Sequence, residues 1–273
     1  MLSNPRAERV RRVRALAQRS TRRRVGLFLA EGPPAVAEAV RWRPELVRDL
    51  YATAEAASRH TTLLDDATGA DVSVRECTPE VLAAMSDTRA PQGLLAVCRA
   101  QPGVLPATLD TVLAARPRLL CVLTHVRDPG NAGTVIRAAD AAGADAVVLS
   151  SESVDVLAPK AVRATAGSLF HLPIVVGEHL DTLFDQLAGH RIRVLSADGS
   201  GSVLLPDARL DSPHAWVFGN EAWGTPEQLR DRCDQVVRVP IHGRAESLNL
   251  AMAATVCLYA SAAAQRDQPW GGQ

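Results

Sequence analysis

The fold is decided by a stretch near the C-terminus, Ala215–Ala264: AWVFGNEAWGTPEQLRDRCDQVVRVPIHGRAESLNLAMAATVCLYASAAA. A short apolar run at 215–218 ends at a glycine-bounded loop, and a second strand is predicted over 235–239. A long apolar helix is predicted over 247–264. Two loops therefore leave two strand ends and enter helix N-termini. In an open α/β sheet ligands bind at such an edge, because free backbone N–H groups converge there.

The helix between these two strands carries its own start signal. Thr225 supplies a capping hydroxyl, Pro226 suits the first turn, and Glu227 places an acid near the positive end of the helix dipole. A helix is therefore predicted over 226–232.

The remaining sequence divides into two α/β regions. Residues 118–265 alternate continuous apolar strands with helices, which indicates a mostly parallel sheet covered on both faces. Residues 1–100 form a smaller α/β domain that begins with a helix over 5–19. A Pro/Gly-rich linker is predicted over 101–117, and a polar tail over 266–273.

Composition is that of an ordinary globular protein. Apolar residues make up 47% and charged residues 22% of the 273 positions, and no apolar run reaches the roughly 18 residues that span a bilayer. The arginine-rich N-terminus lacks the apolar segment of a secretory signal. Five cysteines form no C-x-x-C pair and seven histidines show no metal-ligand spacing. We therefore expect a cytoplasmic protein with reduced core cysteines, no metal and no membrane partner.

A net charge of zero hides a strongly basic N-terminus. Residues 1–24 carry nine arginines against one acid, Glu8. One interpretation is a solvated basic face on a terminal helix. The other is phosphate binding, because arginines at this density repel one another unless an anion is near. On the second interpretation, Arg22, Arg23 and Arg24 are candidate phosphate contacts.

A polar cluster follows the first strand of the larger domain, at Arg127–Asn131. Asp-Pro-Gly-Asn is a turn sequence, and Asn131 is well placed as the N-cap of a helix predicted over 131–142. Arg137 lies in the second turn of this helix among Ala, Val and Ile, which predicts burial on most sides. A mostly buried arginine needs an anionic partner. That partner is either a ligand or a structural acid, for which the sequence offers Asp140 and Glu221.

Three motifs resemble those of the SpoU–TrmH family of RNA ribose 2′-O-methyltransferases. The second and third motifs follow one another in the sequence with one predicted strand between them. This combination is the specific part of the resemblance. Ala251 and Ile241 depart from the usual third motif, where serine and methionine are common. The matches are N-x-G-x-x-x-R at Asn131, Gly133 and Arg137, G-x-E-x-x-G at Gly219, Glu221 and Gly224, and P-x-x-G-x-x-x-S-L-N at Pro240, Gly243, Ser247, Leu248 and Asn249.

The smaller domain resembles the substrate-binding domain that precedes the methyltransferase domain in many members of this family. The similar stretches are Phe28–Pro33, before a helix, and the loop Ser86–Gly93. This domain is similar to a ribosomal-protein-like RNA-binding fold. Arg89 in the loop is a candidate RNA contact, and a plain helix-to-strand connector is the alternative.

The resemblance implies a fold, a reaction and partners. The fold carries a deep trefoil knot at the C-terminus, which general topology rules would not predict. The reaction is methyl transfer from S-adenosylmethionine to a ribose 2′-hydroxyl of structured RNA, with large-subunit rRNA favoured over tRNA. A homodimer built through the C-terminal domain is also implied.

The resemblance also implies roles for single residues. Arg137 is assigned to activation of the 2′-hydroxyl. Since a guanidinium has a pKa above about 12, we expect it to orient the hydroxyl and a phosphate, or to stabilise alkoxide charge. Glu221 either receives the proton or holds Arg137. Asn249 is expected to contact Glu221, Asn131 or the nucleotide, and Ser247 is either catalytic or a plain N-cap. The cofactor is expected among Gly219, Val239, Ile241 and Leu248, with Ser196 as a further wall, and RNA at Arg22, Arg23, Arg24 and Arg89.

Two other classes of function remain open. A non-catalytic RNA-binding protein of the same fold would not need the catalytic side chains, yet all five are present. A nucleotide-dependent oxidoreductase suits the α/β pattern, but the first strand of the larger domain is not followed by G-x-G-x-x-G.

Overall fold

The computed structural model describes residues 1–220 and 223–265. The predicted tail, 266–273, and the candidate Glu221 lie outside the described residues. The chain divides into two compact units. The N-terminal unit comprises Met1–Gln101 together with Asp155–His171, and the C-terminal unit comprises Pro102–Val154 and the described residues from Leu172 onward.

The first 101 residues form a four-stranded mixed sheet with helices. In chain order the elements are α1 (Glu8–Arg14), α2 (Arg19–Val25), β1 (Leu27–Glu31), α3 (Pro33–Trp42), β2 (Val47–Thr53), α4 (Ala54–Arg59), α5 (Thr61–Gly69), β3 (Ser73–Cys77), α6 (Pro79–Met85) and β4 (Leu94–Arg99). The strand order is β1-β4-β2-β3, in which β2 and β3 are parallel and the other neighbours antiparallel.

The following elements are α7 (Leu109–Ala114), β5 (Leu119–Leu123), α8 (Pro129–Ala142), β6 (Ala146–Ser150), α9 (Pro159–Thr165), β7 (Ile174–Glu178), α10 (Leu180–Gly189), β8 (Arg193–Ala197), β9 (Val203–Leu204), β10 (His214–Phe218), α11 (Glu227–Arg230), β11 (Gln235–Arg238) and α12 (Leu250–Gln265). The strands of the C-terminal unit form one sheet in the order β7-β6-β5-β10-β8-β11-β9. All its described pairings are parallel. The predicted mostly parallel sheet is confirmed.

The central strands of this sheet are apolar because both of their faces are covered. β5, β6 and β10 are buried along their whole length. Alternate residues of β10 divide between the two faces. Ala215 and Val217 join a core with Leu113 of α7 and Phe184 of α10. Trp216 faces the other side, where helix α12 packs against β10 and α8.

A buried polar network fixes α12 on β10. Trp216 donates its indole N–H to Ser261 Oγ at 2.8 Å, and His214 Nε2 lies 2.7 Å from the same oxygen. All three residues are fully buried, so each hydrogen bond replaces one lost to water. These hydrogen bonds fix the position of α12 relative to β10. The knot implied by the family resemblance stays a prediction.

Two helical predictions differ from the structure. The helix predicted over 5–19 is interrupted, because Gln18 adopts an extended conformation with ψ of 130° and serves as the N-cap of α2. The second half of the predicted linker is α7, which buries Leu109, Val112 and Leu113. Its apolar spacing places these three on one helix face.

The segment Asp155–His171 also differs from the predicted organisation. It follows β6 in sequence, yet it packs within the N-terminal unit. Arg163 on α9 pairs there with Glu31 at the end of β1 and, at 3.0 Å, with Asp87. Such long-range ion pairs leave no periodic signal in the sequence.

Candidate functional site

The motif residues of the C-terminal unit gather at one edge of the parallel sheet. β5, β10, β8 and β11 are neighbours and point the same way. Their carboxyl ends therefore lie together, and the loops that leave them form one surface. The described parts of these loops are 124–128, 219–220 with 223–226, 198–202 and 239–249.

The loop after β10 is closed by its own backbone. Asn220 and Gly224 exchange two N–H to carbonyl hydrogen bonds of 2.9 Å each. A Cβ added at Gly219 would lie 2.1 Å from the carbonyl carbon of Gly224. Gly219 was expected to admit the backbone close to a cofactor. The structure shows that Gly219 admits the returning backbone of its own loop, and its place beside the cofactor stays a prediction.

A side chain anchors this loop to the neighbouring strand end. Asn220 donates its amide N–H to the carbonyl oxygen of His125 at 2.7 Å. His125 has a φ of 54°, in the left-handed region that few non-glycine residues adopt. The loops after β5 and β10 are thereby held against each other.

Ser196 is not available to a ligand, so the prediction that it forms a cofactor wall is wrong. It is fully buried, and its hydroxyl donates to Thr225 Oγ1 at 3.2 Å. Thr225 was predicted to cap the next helix. That helix instead begins at Glu227 after Pro226, without a side-chain cap.

Asp198, two residues after Ser196, holds the loop that follows β8. It accepts hydrogen bonds from the backbone N–H and the hydroxyl of Ser200 at 2.9 and 2.7 Å, and Arg230 lies 3.3 Å away. Burial acts to raise the pKa of Asp198, but the bonds from Ser200, the charge of Arg230 and a bond from the Thr225 N–H lower it overall. Asp198 is thus held as a carboxylate.

Helix α8 begins at Pro129 rather than at Asn131. Asp128 is the N-cap, and its side chain accepts the backbone N–H of Asn131 at 2.8 Å. The prediction of Asn131 as N-cap is therefore wrong. The sequence carried the signal, because an acid directly before a proline is a common start of a helix. Because Asn131 does not cap α8, its side chain can form hydrogen bonds with other groups.

Asn249 is both a helix cap and a partner of Asn131. Its Oδ1 accepts the backbone N–H of Ala251 at 2.8 Å, directly before α12. Its Nδ2 donates to Asn131 Oδ1 at 3.3 Å. The expected contact with Asn131 is present. The alternative that Ser247 caps the helix is wrong, since α12 begins three residues later at Leu250.

Arg137 is exposed, so the predicted burial is wrong. The helix buries Val135, Ile136 and Ala139, whereas Arg137 and Ala141 lie on its exposed side. Residues four apart share one helix face, and a run of small apolar neighbours does not bury that face. Arg137 is therefore accessible on a helix that follows the motif-bearing edge of the sheet.

The loop between β11 and α12 offers both apolar surface and free backbone groups. Ile241 and Leu248 are each 38% exposed, and Val239 is partly buried. Among the described residues, no backbone N–H between Ile241 and Leu248 donates to another backbone group. Such a loop can bind a planar apolar group together with hydrogen-bond acceptors.

The candidate RNA-binding arginines divide into two kinds. Arg22 is 5% exposed, and it donates to the carbonyls of Leu16 and Ala17 and, at 2.6 Å, to Asp155. Arg22 is a structural residue, and its prediction as an RNA contact is wrong. The remaining candidates, Arg23, Arg24 and Arg89, are exposed.

The described residues give no support for other classes of ligand, such as a metal ion or a membrane. No group of three or more His, Cys, Asp or Glu side chains is placed to hold a metal within 1–220 and 223–265. The five cysteines are free, and burial raises the pKa of Cys98 to about 12. None of the described helices is long and apolar enough to cross a membrane.

Comparison with known proteins gives the family. Residues 118–259 match the SpoU rRNA Methylase family, and residues 7–96 match the MRM3-like substrate binding domain. The chain is 31% identical over 252 residues to 23S rRNA (guanosine(2553)-2′-O)-methyltransferase RlmP of Bacillus subtilis, covering 92% of this chain and 95% of that protein. It is 31% identical to 23S rRNA (guanosine-2′-O-)-methyltransferase RlmB of Bordetella pertussis, with 83% and 93% covered.

A solved structure extends the comparison to the whole fold. The SpoU methyltransferase AviRb from Streptomyces viridochromogenes, in complex with AdoMet, superposes with a TM-score of 0.81 at 29% identity. The superposition covers 94% of this chain and 98% of that one. On these matches and on the three motifs at one sheet edge, the chain belongs to the SpoU rRNA methylase family.

Proposed function

We propose that this protein transfers a methyl group from S-adenosylmethionine to a ribose 2′-hydroxyl of 23S rRNA. The single observation that carries the proposal is the contact between Asn131 and Asn249, which joins the first and third motifs at the carboxyl edge of the sheet. The named relatives act on 23S rRNA, which supports this substrate over tRNA. Because the proposed substrate is ribosomal RNA, we propose the cytoplasm as the site of action.

The residues at the sheet edge suit this cofactor. Ile241 and Leu248 are exposed apolar side chains beside Val239, and we propose that they enclose the adenine. The backbone N–H groups of 241–248, which donate to no other backbone group among the described residues, are proposed as donors to its polar edges. S-adenosylmethionine supplies an electrophilic methyl group on a sulfonium centre.

Arg137 is proposed to position the nucleophile. Its guanidinium is exposed, and it presents several N–H donors in a fixed fork. It can therefore hold a phosphate next to the reacting ribose and stabilise charge that develops on the 2′-oxygen. Literal proton abstraction by Arg137 is the weaker alternative. Glu221, outside the described residues, is proposed either to receive the proton or to hold Arg137 in place.

Asn131, Asn249 and Ser247 complete the proposed polar site. The pair of amides fixes the first turn of α8 against the start of α12, so that motif residues on both helices keep their spacing. Ser247 is exposed beside them and is free to bond the nucleotide. Positioning of this kind is the main contribution that the reaction requires, because the 2′-oxygen takes the methyl group and the donor departs as a neutral thioether.

RNA binding is proposed to extend over the N-terminal unit. Arg23, Arg24 and Arg89 are exposed, and exposed arginines gain affinity for RNA by releasing counterions from phosphates. The match of residues 7–96 to a substrate-binding domain supports this assignment.

We also propose a homodimer through the C-terminal unit. On α12, Met252 and Val256 are 55% and 42% exposed. They lie four residues apart and form an apolar stripe on the helix that carries the third motif. A second copy of the chain would bury this stripe. A monomer by light scattering at micromolar concentration would contradict this part of the proposal.

The proposal is tested by methyl transfer to defined RNA. Labelled S-adenosylmethionine is incubated with an unmodified 23S rRNA transcript, and with unmodified 16S rRNA and tRNA as comparison substrates. We expect label in 23S rRNA. Arg137→Ala should reduce the rate at least about 100-fold, while stability changes by less than about 0.5 kcal/mol because the side chain is exposed. Label confined to tRNA, or full activity of Arg137→Ala, would contradict the proposal.

A further inference from the structure

An exposed tryptophan lies on the loop that carries the second motif. Trp223 is 52% exposed, although a large aromatic side chain gains most when it is removed from water. It directly precedes Gly224, whose two hydrogen bonds to Asn220 close the loop. The position of its backbone is therefore defined by the loop closure at the end of β10.

A guanidinium from the neighbouring loop stacks on this ring. Arg127 Cζ lies 5.0 Å from the centroid of Trp223, within the range of a cation–π contact. Arg127 directly precedes Asp128, the N-cap of α8. The pair thus joins the loops of the first and second motifs, as the bond from Asn220 to His125 also does.

Apart from its contact with Trp223, Arg127 has no charged partner among the described residues. It is exposed, and no ion pair involves it among residues 1–220 and 223–265. Trp223 is 52% exposed while it makes this contact. A flat apolar face beside a cation is the combination that binds an unpaired nucleobase and its phosphate.

We propose that Trp223 and Arg127 form a stacking platform for an unpaired nucleobase of the RNA substrate, at or next to the nucleotide that is methylated. This inference rests on the proposed function. Stacking does not depend on which base is present, since every base has a π-face. The platform therefore positions the RNA strand at the sheet edge and leaves base selection to other contacts.

Steady-state kinetics on an unmodified 23S rRNA transcript test the platform. We expect Trp223→Ala to lower kcat/KM for RNA about 10- to 100-fold, and Trp223→Phe to stay within about 3-fold of the wild type. The Kd for S-adenosylmethionine, measured by calorimetry, should stay within about 3-fold in both, which separates loss of stacking from collapse of the loop. Val176→Ala, which trims an apolar side chain 37% exposed on β7, is the control and should match the wild type.

Fluorescence titration with the same transcript gives a readout that does not need turnover. A base stacked on Trp223 should quench part of the intrinsic emission, and that part should be absent in Trp223→Phe. Equal quenching in both proteins, or wild-type kcat/KM in Trp223→Ala, would overturn the inference. A changed oligomeric state of Trp223→Ala in light scattering would also overturn it, because the ring would then belong to a protein interface. If the wild type methylates no RNA, the proposed function fails, and the quenching difference still decides whether the platform binds RNA.

Discussion

Asn249 donates its side-chain amide to Asn131 Oδ1 at 3.3 Å, across 118 positions of the chain. The donor precedes α12, and the acceptor lies in the first turn of α8. Neither side chain is buried, so the contact adds little to stability. Its consequence is geometric, because it sets the distance between two motifs that we propose to act on one nucleotide.

Two substitutions of Asn249 separate its cap of α12 from its contact with Asn131. Asn249→Ser keeps a hydroxyl that can cap the N–H of Ala251 but is too short to reach Asn131. We expect its free energy of unfolding to stay within about 0.5 kcal/mol of the wild type, while methyl transfer falls at least about 10-fold. Asn249→Ala should also lose about 1 kcal/mol of stability. Wild-type turnover in Asn249→Ser would show that the contact has no part in the reaction.

Closure of the loop after β10 depends on Gly219. A Cβ there would meet the backbone of Gly224 at 2.1 Å, and backbone cannot move aside as a flexible side chain can. We expect Gly219→Ala to weaken binding of S-adenosylmethionine at least about 10-fold in calorimetry. Gly199→Ala is the matched control, because a Cβ at Gly199 has open space around it. Equal affinities in the two variants would mean that the loop does not form the cofactor site.

Acid should weaken the packing of α12 on β10. Burial lowers the pKa of His214 from its ordinary value of 6.5, with the nearby charge of Arg193 acting the same way. The unfolded chain therefore binds the proton more readily than the native one, so stability is complete above about pH 6.5 and falls as pH decreases below it.

Chemical denaturation between pH 5 and 8 measures this effect. The loss of stability below about pH 6.5 should be smaller in His214→Asn than in the wild type. His190, which is exposed, provides the control, and His190→Gln should keep the wild-type pH dependence. An unchanged acid loss in His214→Asn would assign the effect to another group.

Arg22 and Arg23 are sequence neighbours with different expected roles. Arg22→Ala removes the buried partner of Asp155 and should cost about 3 kcal/mol of stability in thermal or chemical unfolding. Arg23→Ala should leave stability unchanged, and lower the slope of log affinity for the 23S rRNA transcript against log salt by about 1. If Arg22→Ala unfolds like the wild type and shows the reduced slope, the two assignments are reversed.

The sheet and its functional edge were predictable because their signals are local. Continuous apolar strands such as β5 and β10, separated by helices, indicate a parallel sheet. These patterns depend on residues adjacent in sequence or on one element. The contact of Asn249 with Asn131 was instead expected from the family resemblance, as one of three alternatives.

Burial and long-range partners were not predictable in the same way. The small apolar residues around Arg137 predict that it is buried, but Arg137 lies on the exposed face of α8. The position of Ser196 at a strand end predicts that it is accessible, but its hydroxyl is bonded to Thr225 of another loop. The transfer of Asp155–His171 to the N-terminal unit rests on ion pairs such as Arg22 with Asp155. The last two facts are set by a residue far away in the chain, and no short window of the sequence contains both partners.

The central claim is that the methyl group goes to a ribose oxygen. The direct measurement is alkaline digestion of 23S rRNA that the wild-type protein has labelled from S-adenosylmethionine, followed by separation of mono- and dinucleotides. A 2′-O-methyl group removes the hydroxyl that attacks the adjacent phosphate, so its own linkage survives alkali. We predict that the label appears in alkali-resistant dinucleotides. Label in mononucleotides would show base methylation and would contradict the chemistry assigned to Asn131, Arg137 and Asn249.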